Sequence, residues 1–178
     1  MNGYVALRDV EQEDLPVFFH HQTDPEANAM AAFTAPDPTD RQAFMAHCAK
    51  ILADANILMQ TVLLDGRVAG NIVSFMSDGQ REIGYWIGTE YWGRGVASAA
   101  LAAFLRRETR RPLLAYAAKD NAASIRVLLK CGFILCREAR SYSNARAMVV
   151  DEVVMTLGPQ PQIDTGSPSE TPSLNGPN

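Results

Sequence analysis

The densest chemistry in this chain stands at Tyr91-Trp92-Gly93-Arg94-Gly95-Val96-Ala97-Ser98, where a β-rich run hands over to a helical one. Two glycines flanking one arginine let the backbone turn tightly and aim successive N–H groups the same way. The first turn of the following helix adds unpaired donors and a partial positive charge, and small Ala97 and Ser98 leave those amides uncovered. Such a loop can hold a phosphate or pyrophosphate. An ordinary strand-to-helix connection would use the same glycines for turning alone, so a second motif must decide.

The known phosphate loops narrow the choice. Gly-x-x-x-x-Gly-Lys-Ser/Thr is missing, which removes a Walker-type nucleotide site. Gly93-Arg94-Gly95 matches the start of the dinucleotide fingerprint Gly-x-Gly-x-x-Gly, and Asp120 follows the next strand where a ribose ligand could sit. Ser98 occupies the place of the third glycine, however, so an NAD-dependent oxidoreductase is the weaker rival. The second motif is Asn121-Ala122-Ala123-Ser124-Ile125-Arg126-Val127-Leu128-Leu129-Lys130-Cys131-Gly132-Phe133. Ile125, Leu128 and Leu129 share one helical face, Gly132 stops the helix, and Asn121 offers an amide that can cap it or bond a ligand.

Elements that could position these groups follow from periodicity. Tyr4 to Arg8 reads as a strand and Glu11 to His21 as a helix, after which Pro25, Pro36 and Pro38 break the pattern. Thr39 and Gln42 predict a capping box opening a helix that ends near Asp54. Asn56 to Leu64, Arg67 to Met76 and Arg81 to Ile87 form a predicted meander turned by Asp65-Gly66 and Ser77-Asp78-Gly79. Val96, Ala100, Leu101, Phe104 and Leu105 mark a helix to about Arg110, then come a strand over Leu113 to Ala118, the Asn121 to Cys131 helix, and strands over Phe133 to Arg137 and Met148 to Leu157. This order makes a mixed sheet with packed helices, not a repeated βαβ array.

Composition bounds the rest. A chain of 178 residues is one domain in size, placed at residues 1–158, and the Pro/Ser-rich stretch 159–178 reads as a disordered tail. The net charge of -4 supplies no basic field for nucleic acid. Cys48, Cys131 and Cys136 form neither a Cys-x-x-Cys pair nor a disulfide framework, and Cys131 reads as packing. The apolar run Val96 to Leu105 is far short of the ~20 residues that span a bilayer, and Met1 to Asp14 lacks a signal-peptide core. The expectation is a soluble cytoplasmic protein without membrane or nucleic-acid partners. Adjacent His20 and His21, with His47, do not suggest a metal site.

On its two motifs the chain resembles the GNAT superfamily of acetyl-CoA-dependent N-acetyltransferases. That family pairs a pyrophosphate loop, Gln/Arg-x-x-Gly-x-Gly/Ala before a helix, with a later Asn-x-x-Ala/Ser helix ending in Gly-Phe. Gly95 and Ala97 match the first, and Asn121, Ser124, Gly132 and Phe133 match the second. The element order is similar from Tyr4 to Leu157. Glu82-Ile83-Gly84-Tyr85-Trp86 with the Tyr-Trp-Gly-Arg-Gly loop is most similar to the branch that includes ribosomal-protein N-terminal acetyltransferases and many enzymes acting on small amines.

The resemblance implies an α/β (α+β) acyl-CoA N-acyltransferase fold: a mixed, mainly antiparallel central sheet with a splayed parallel strand pair and flanking helices. It implies that the backbone of Gly93, Arg94, Gly95, Val96, Ala97 and Ser98 holds the pyrophosphate of acetyl-CoA, with Trp92 standing where Gln or Arg is usual. Pantetheine would run between the Arg81 to Ile87 and Leu113 to Ala118 strands against Asn121, and a backbone N–H near Trp86 or Ile87 at the splay would hold the thioester oxygen. Glu82 would be the general base, sometimes acting through water, or else a surface carboxylate paired with Arg81 or a substrate cation. Many members carry a thiolate-protonating Tyr where this chain has Leu128, so Ser124 takes that role here or is simply a first-turn serine. Leu128 also suggests the alternative of a catalytically silent coenzyme A-binding regulatory module. The acceptor would be a primary amine on a small molecule or a protein N-terminus, lined by Phe33 and Tyr142 from the loops 24–40 and 139–147, with the protein a monomer or a homodimer. The arginine run 106–111 could meet the adenosine 3′-phosphate, but reads as a solvated helix end.

Overall fold

Positive φ at Asp65 and Gly66, 50° and 78°, and at Asp78 and Gly79, 46° and 74°, closes two type I′ hairpins. They join β2 (Leu58–Leu64), β3 (Arg67–Ser77) and β4 (Gln80–Ile87) into the expected antiparallel meander. The computed structural model describes residues 3–159, so the expected tail lies, beyond Pro159, outside the described residues. β1 (Val5–Asp9) pairs with β2. On the other side β5 (Leu113–Ala118) lies parallel to β4, and β7 (Met148–Leu157) and β6 (Ile134–Ser143) complete a seven-stranded sheet of order β1-β2-β3-β4-β5-β7-β6. The fold is the mixed α/β arrangement expected.

Strand alternation divides the core between the two faces. Ile72, Ile83 and Ile87 point to one face and pack against α4 (Val96–Phe104) and α5 (Ala122–Lys130) through Val96, Leu101, Phe104 and Leu128. Val73 and Met59 point to the other and meet Phe18 of α1 (Leu15–Gln22) and Phe44, Cys48 and Ile51 of α3 (Arg41–Ala53). Buried Asp14 anchors α1 there: it accepts from Arg8 at 2.5 and 2.7 Å and from Thr61 Oγ1 at 2.6 Å.

Four local expectations are corrected. The proline-broken stretch contains α2 (Pro25–Ala31), because Pro25 occupies the first turn, where an N–H is not needed, and the Asp24 carboxylate accepts from Ala27 N at 2.9 Å. The cap of α3 is Asp40, accepting from Ala43 N at 2.9 Å, while Thr39 bonds Asp37 instead of forming a box with Gln42. α4 stops at Phe104 rather than Arg110 because the chain turns to bury Glu108, which is 1% exposed and accepts from Arg81 and Arg110 at 3.3 and 2.7 Å. The arginine run is therefore not only solvated; Arg110 closes this network. β6 continues to Ser143, whose hydroxyl donates to Ala32 O at 2.6 Å, so the loop expected over 139–147 shrinks to 144–147.

Candidate functional site

β4 and β5 are paired at Arg81↔Leu113 and Glu82↔Leu114 and diverge beyond them. Gly70 of β3 presses against the diverging end of β4: a Cβ there would lie 1.9 Å from the Trp86 carbonyl oxygen. The gap between the strands is a cleft of ≈ 530 Å³, walled by Ile83 to Ile87 on one side and Ala115 to Ala117 on the other. In the β3/β4 hairpin register, N–H groups alternate in direction, and Gly88 N bonds Ala69 O at 2.9 Å. Those of Gly84 and Trp86 are thus spent on β3, while those of Ile83, Tyr85 and Ile87 face the cleft. Of the two backbone donors expected at the splay, Ile87 is the one so directed; Trp86 contributes its side chain to the wall.

The amino end of α4 closes one end of the cleft. Gly93 and Gly95 have φ of 71° and 76°, and nothing lies within 4 Å of a Cβ added at either, so glycine is required there for backbone conformation rather than space. The first backward helical bond is Ala99 N to Gly95 O at 3.1 Å, and no side chain caps this end among the described residues. The N–H groups of Val96, Ala97 and Ser98 are left for a ligand, and all three residues line the cleft. Trp92, in place of the usual Gln or Arg, donates its indole N–H to Ile87 O at 2.8 Å and clamps the loop to the end of β4. Arg94 sits on the loop with its guanidinium 6.0 Å above the Tyr91 ring.

On α5, Asn121 acts in both of its capacities: Oδ1 accepts from Ser124 N at 3.0 Å as the helix cap, and Nδ2 donates to Met30 O at 3.2 Å, tying α5 to α2. Ser124 Oγ lies 2.7 Å from the Tyr85 hydroxyl, and both residues line the cleft beside fully buried Leu128. Burial pushes the Tyr85 phenol up to about 12, against a smaller opposing pull from Ser124. Sequence reasoning passed over Tyr85. Its signal was a phenol among the core-facing positions Ile83, Tyr85 and Ile87 of one strand.

Glu82 points to the opposite sheet face from Tyr85, at the vertex where the strands part. It is not paired with Arg81, because alternation turns Arg81 to the other face and to Glu108. Burial raises the Glu82 carboxyl to about 7, with the charges of Asp78 and Glu152 adding to it and Ser77 opposing. Tyr116, on the facing strand and lining the cleft, is pushed up to about 12 by burial and by the charge of Glu82. Glu82 itself stands one residue before the lining begins. Phe33 packs with Ala32, Ala118 and Val150, and Tyr142 is 59% exposed on β6; neither is part of the cleft wall. Among the described residues no group of three His, Cys, Asp or Glu side chains is placed to hold a metal, and no helix is long and apolar enough to cross a membrane.

Residues 5–134 match the family model of the acetyltransferase (GNAT) domain. An uncharacterized N-acetyltransferase p20 of Bacillus licheniformis is 26% identical over 165 residues, covering 86% of this chain and 92% of that protein. Among solved structures, Mycobacterium smegmatis RimJ in complex with CoA-disulfide superposes with a TM-score of 0.74 at 22% identity, covering 88% of this chain and 82% of that one. Spermidine N-acetyltransferase from Vibrio cholerae, in complex with CoA and spermine, gives 0.70 at 16% identity, covering 85% and 95%.

Proposed function

The chain belongs to the GNAT acetyltransferase family, and from that premise we propose that it moves the acetyl group of acetyl-CoA onto a primary amine, of a small molecule or a protein N-terminus, by direct attack. The observation that carries this is the parted β4/β5 pair with the uncapped start of α4 at its end. The amides of Gly93 to Ser98 bind the pyrophosphate, and the outward N–H groups of Tyr85 and Ile87 pair with the amide-bearing pantetheine and the thioester oxygen. Asn121 supports that arm by holding the start of α5.

Glu82 takes the proton of the attacking amine, directly or through a water, from one face of the sheet. The nitrogen lone pair adds to the thioester carbon, the C–S bond breaks, and the thiolate departs toward Tyr85 and Ser124 on the other face. A phenol held near 12 is a poorer acid than a thiol of about 8.5, so this hydroxyl pair stabilises the thiolate by hydrogen bonding rather than by giving up a proton. Tyr85→Phe and Ser124→Ala should each lower kcat roughly tenfold, and the double variant should lose little more, since the two hydroxyls act as one donor unit. Steady-state kinetics of thiol release against a primary amine read both effects; a doubly additive loss would assign them separate roles.

Acetyl-CoA in hundredfold excess over its Kd should stabilise the protein by about 2.7 kcal/mol, raising the unfolding midpoint by roughly 5 to 10 °C, while NAD leaves it unmoved. Gly95→Ala puts a side chain on a left-handed residue, a strain of about 1–2 kcal/mol relieved only by turning the amides away. The shift with acetyl-CoA should then fall by more than half. No shift at saturating acetyl-CoA in the unmodified protein overturns the proposal.

A further inference from the structure

β6 is the last strand of the sheet, and among the described residues its outer edge pairs with nothing. Half of the large apolar side chains exposed among those residues stand on β6 and on neighbouring β7: Ile134, Leu135, Tyr142, Met148 and Val149, which are 47% to 59% exposed. An open ten-residue edge of this kind is a template for another strand. Leu135, Glu138, Arg140 and Tyr142 share one face of the sheet, because their partners Met155, Val153, Asp151 and Val149 occupy every second position of β7. Glu138 meets Lys119 at 2.7 Å and Arg140 meets Asp151 at 3.3 Å, but these four side chains are 49% to 73% exposed, so the two ion pairs hold them weakly.

We propose that the occupant of this edge is a second copy of the chain, its β6 running antiparallel to the first about a two-fold axis at Ala139, so that two seven-stranded sheets become one. The charges of the strand select this partner and this register. A two-fold axis normal to the sheet keeps each side chain on its own face, and it therefore passes through a single residue rather than between two. An axis at Arg137, Glu138 or Arg140 would set that charge against itself, which is unfavourable across a strand pair. An axis at Ser141 would leave Glu138 facing Asn144, beyond the end of the strand. At Ala139 the small side chain meets its own copy, and Glu138 stands opposite Arg140 of the second copy on both sides of the axis. The bulge between Leu135 and Arg137 adds one residue to each strand, which brings Leu135 beside Tyr142 of the second copy on the same face. Charge and apolar surface thus match in one register, and the inference does not depend on the acetyl-transfer reading.

Sedimentation velocity of the full chain over about 1 to 100 μM should show a monomer–dimer equilibrium or a dimer. Glu138→Arg and Arg140→Glu each set like charges opposite one another on both sides of the axis, so either variant alone should associate at least about tenfold more weakly. Mixed in equal amounts, the two variants should associate again, to within about threefold of the unmodified protein, because every cross-strand pair in the mixed dimer then joins opposite charges. A merely structural role for either residue gives no such recovery. Both side chains are exposed in the single chain, and circular dichroism checks that each variant is folded. A chain that stays monomeric throughout overturns the proposal. So does a dimer that either variant leaves intact, which places the contact on another face, and so does a mixture of the two that fails to associate.

Discussion

Glu82→Gln should lower kcat/KM for acetyl transfer by about 10²–10³-fold at pH 8 and abolish the rise of rate through about pH 7. A base must be unprotonated to accept the amine's proton, so with a carboxyl held near 7 the rate of the unmodified enzyme climbs as pH rises through that value and levels above it. The variant should have no such limb. Stability should move the opposite way. The Glu82 carboxyl sits above its ordinary value of 4.5, so the folded protein binds this proton more tightly than the unfolded chain does. That contribution is complete below about 4.5 and lost as pH rises through about 7, where a largely buried anion remains at a cost of roughly 3 kcal/mol. Glu82→Gln should therefore raise the unfolding midpoint at pH 8.5 by several degrees and leave it little changed at pH 5. Lost activity with gained stability is the signature of a carboxylate kept for chemistry. A pH–rate profile unchanged by the substitution would remove Glu82 from the mechanism.

Glu108→Ala should destabilise the protein by about 3–5 kcal/mol, a fall of roughly 10 °C in midpoint. Burial pushes the Glu108 carboxyl up, but the hydrogen bonds and charge of Arg110 outweigh it and hold the group at about 2. Its contribution is therefore present above the ordinary value of 4.5 and lost only as pH falls toward about 2. Removing it leaves the guanidinium of Arg81, 5% exposed, without its counter-ion. The loss should reach the site as well. Arg81 is one of the two β4 residues paired with β5, so the vertex of the cleft rests on this ion pair, and acetyl-CoA binding should weaken with it. Thermal unfolding with and without acetyl-CoA separates the two effects. An unchanged midpoint would show that the buried Glu108 network with Arg81 and Arg110 does not stabilise the fold.

Most elements were legible because local chemistry fixes them. Asp-Gly turns demand a left-handed backbone, which made the meander readable before any contact was known. The Asn121 to Cys131 helix was readable from its cap, its apolar face and its glycine stop. α2 was missed because prolines were read as breakers, although Pro25 is harmless in a first turn that Asp24 caps. The early end of α4 was missed because the burial of Glu108 depends on Arg81, 27 residues away in the chain.

By itself the sequence determined the loop whose glycines permit an outward-facing run of amides, the Asn121 helix that follows it, and through them the family. Those features arise within a few residues of one another, where backbone conformation and capping need no distant partner. The packed fold settles where β4 and β5 part, just after Glu82, and that Glu82 and the Tyr85–Ser124 pair lie on opposite faces of the gap. Desolvation and strand register are properties of packing between segments far apart in the chain, and residue type alone does not encode which of them will meet.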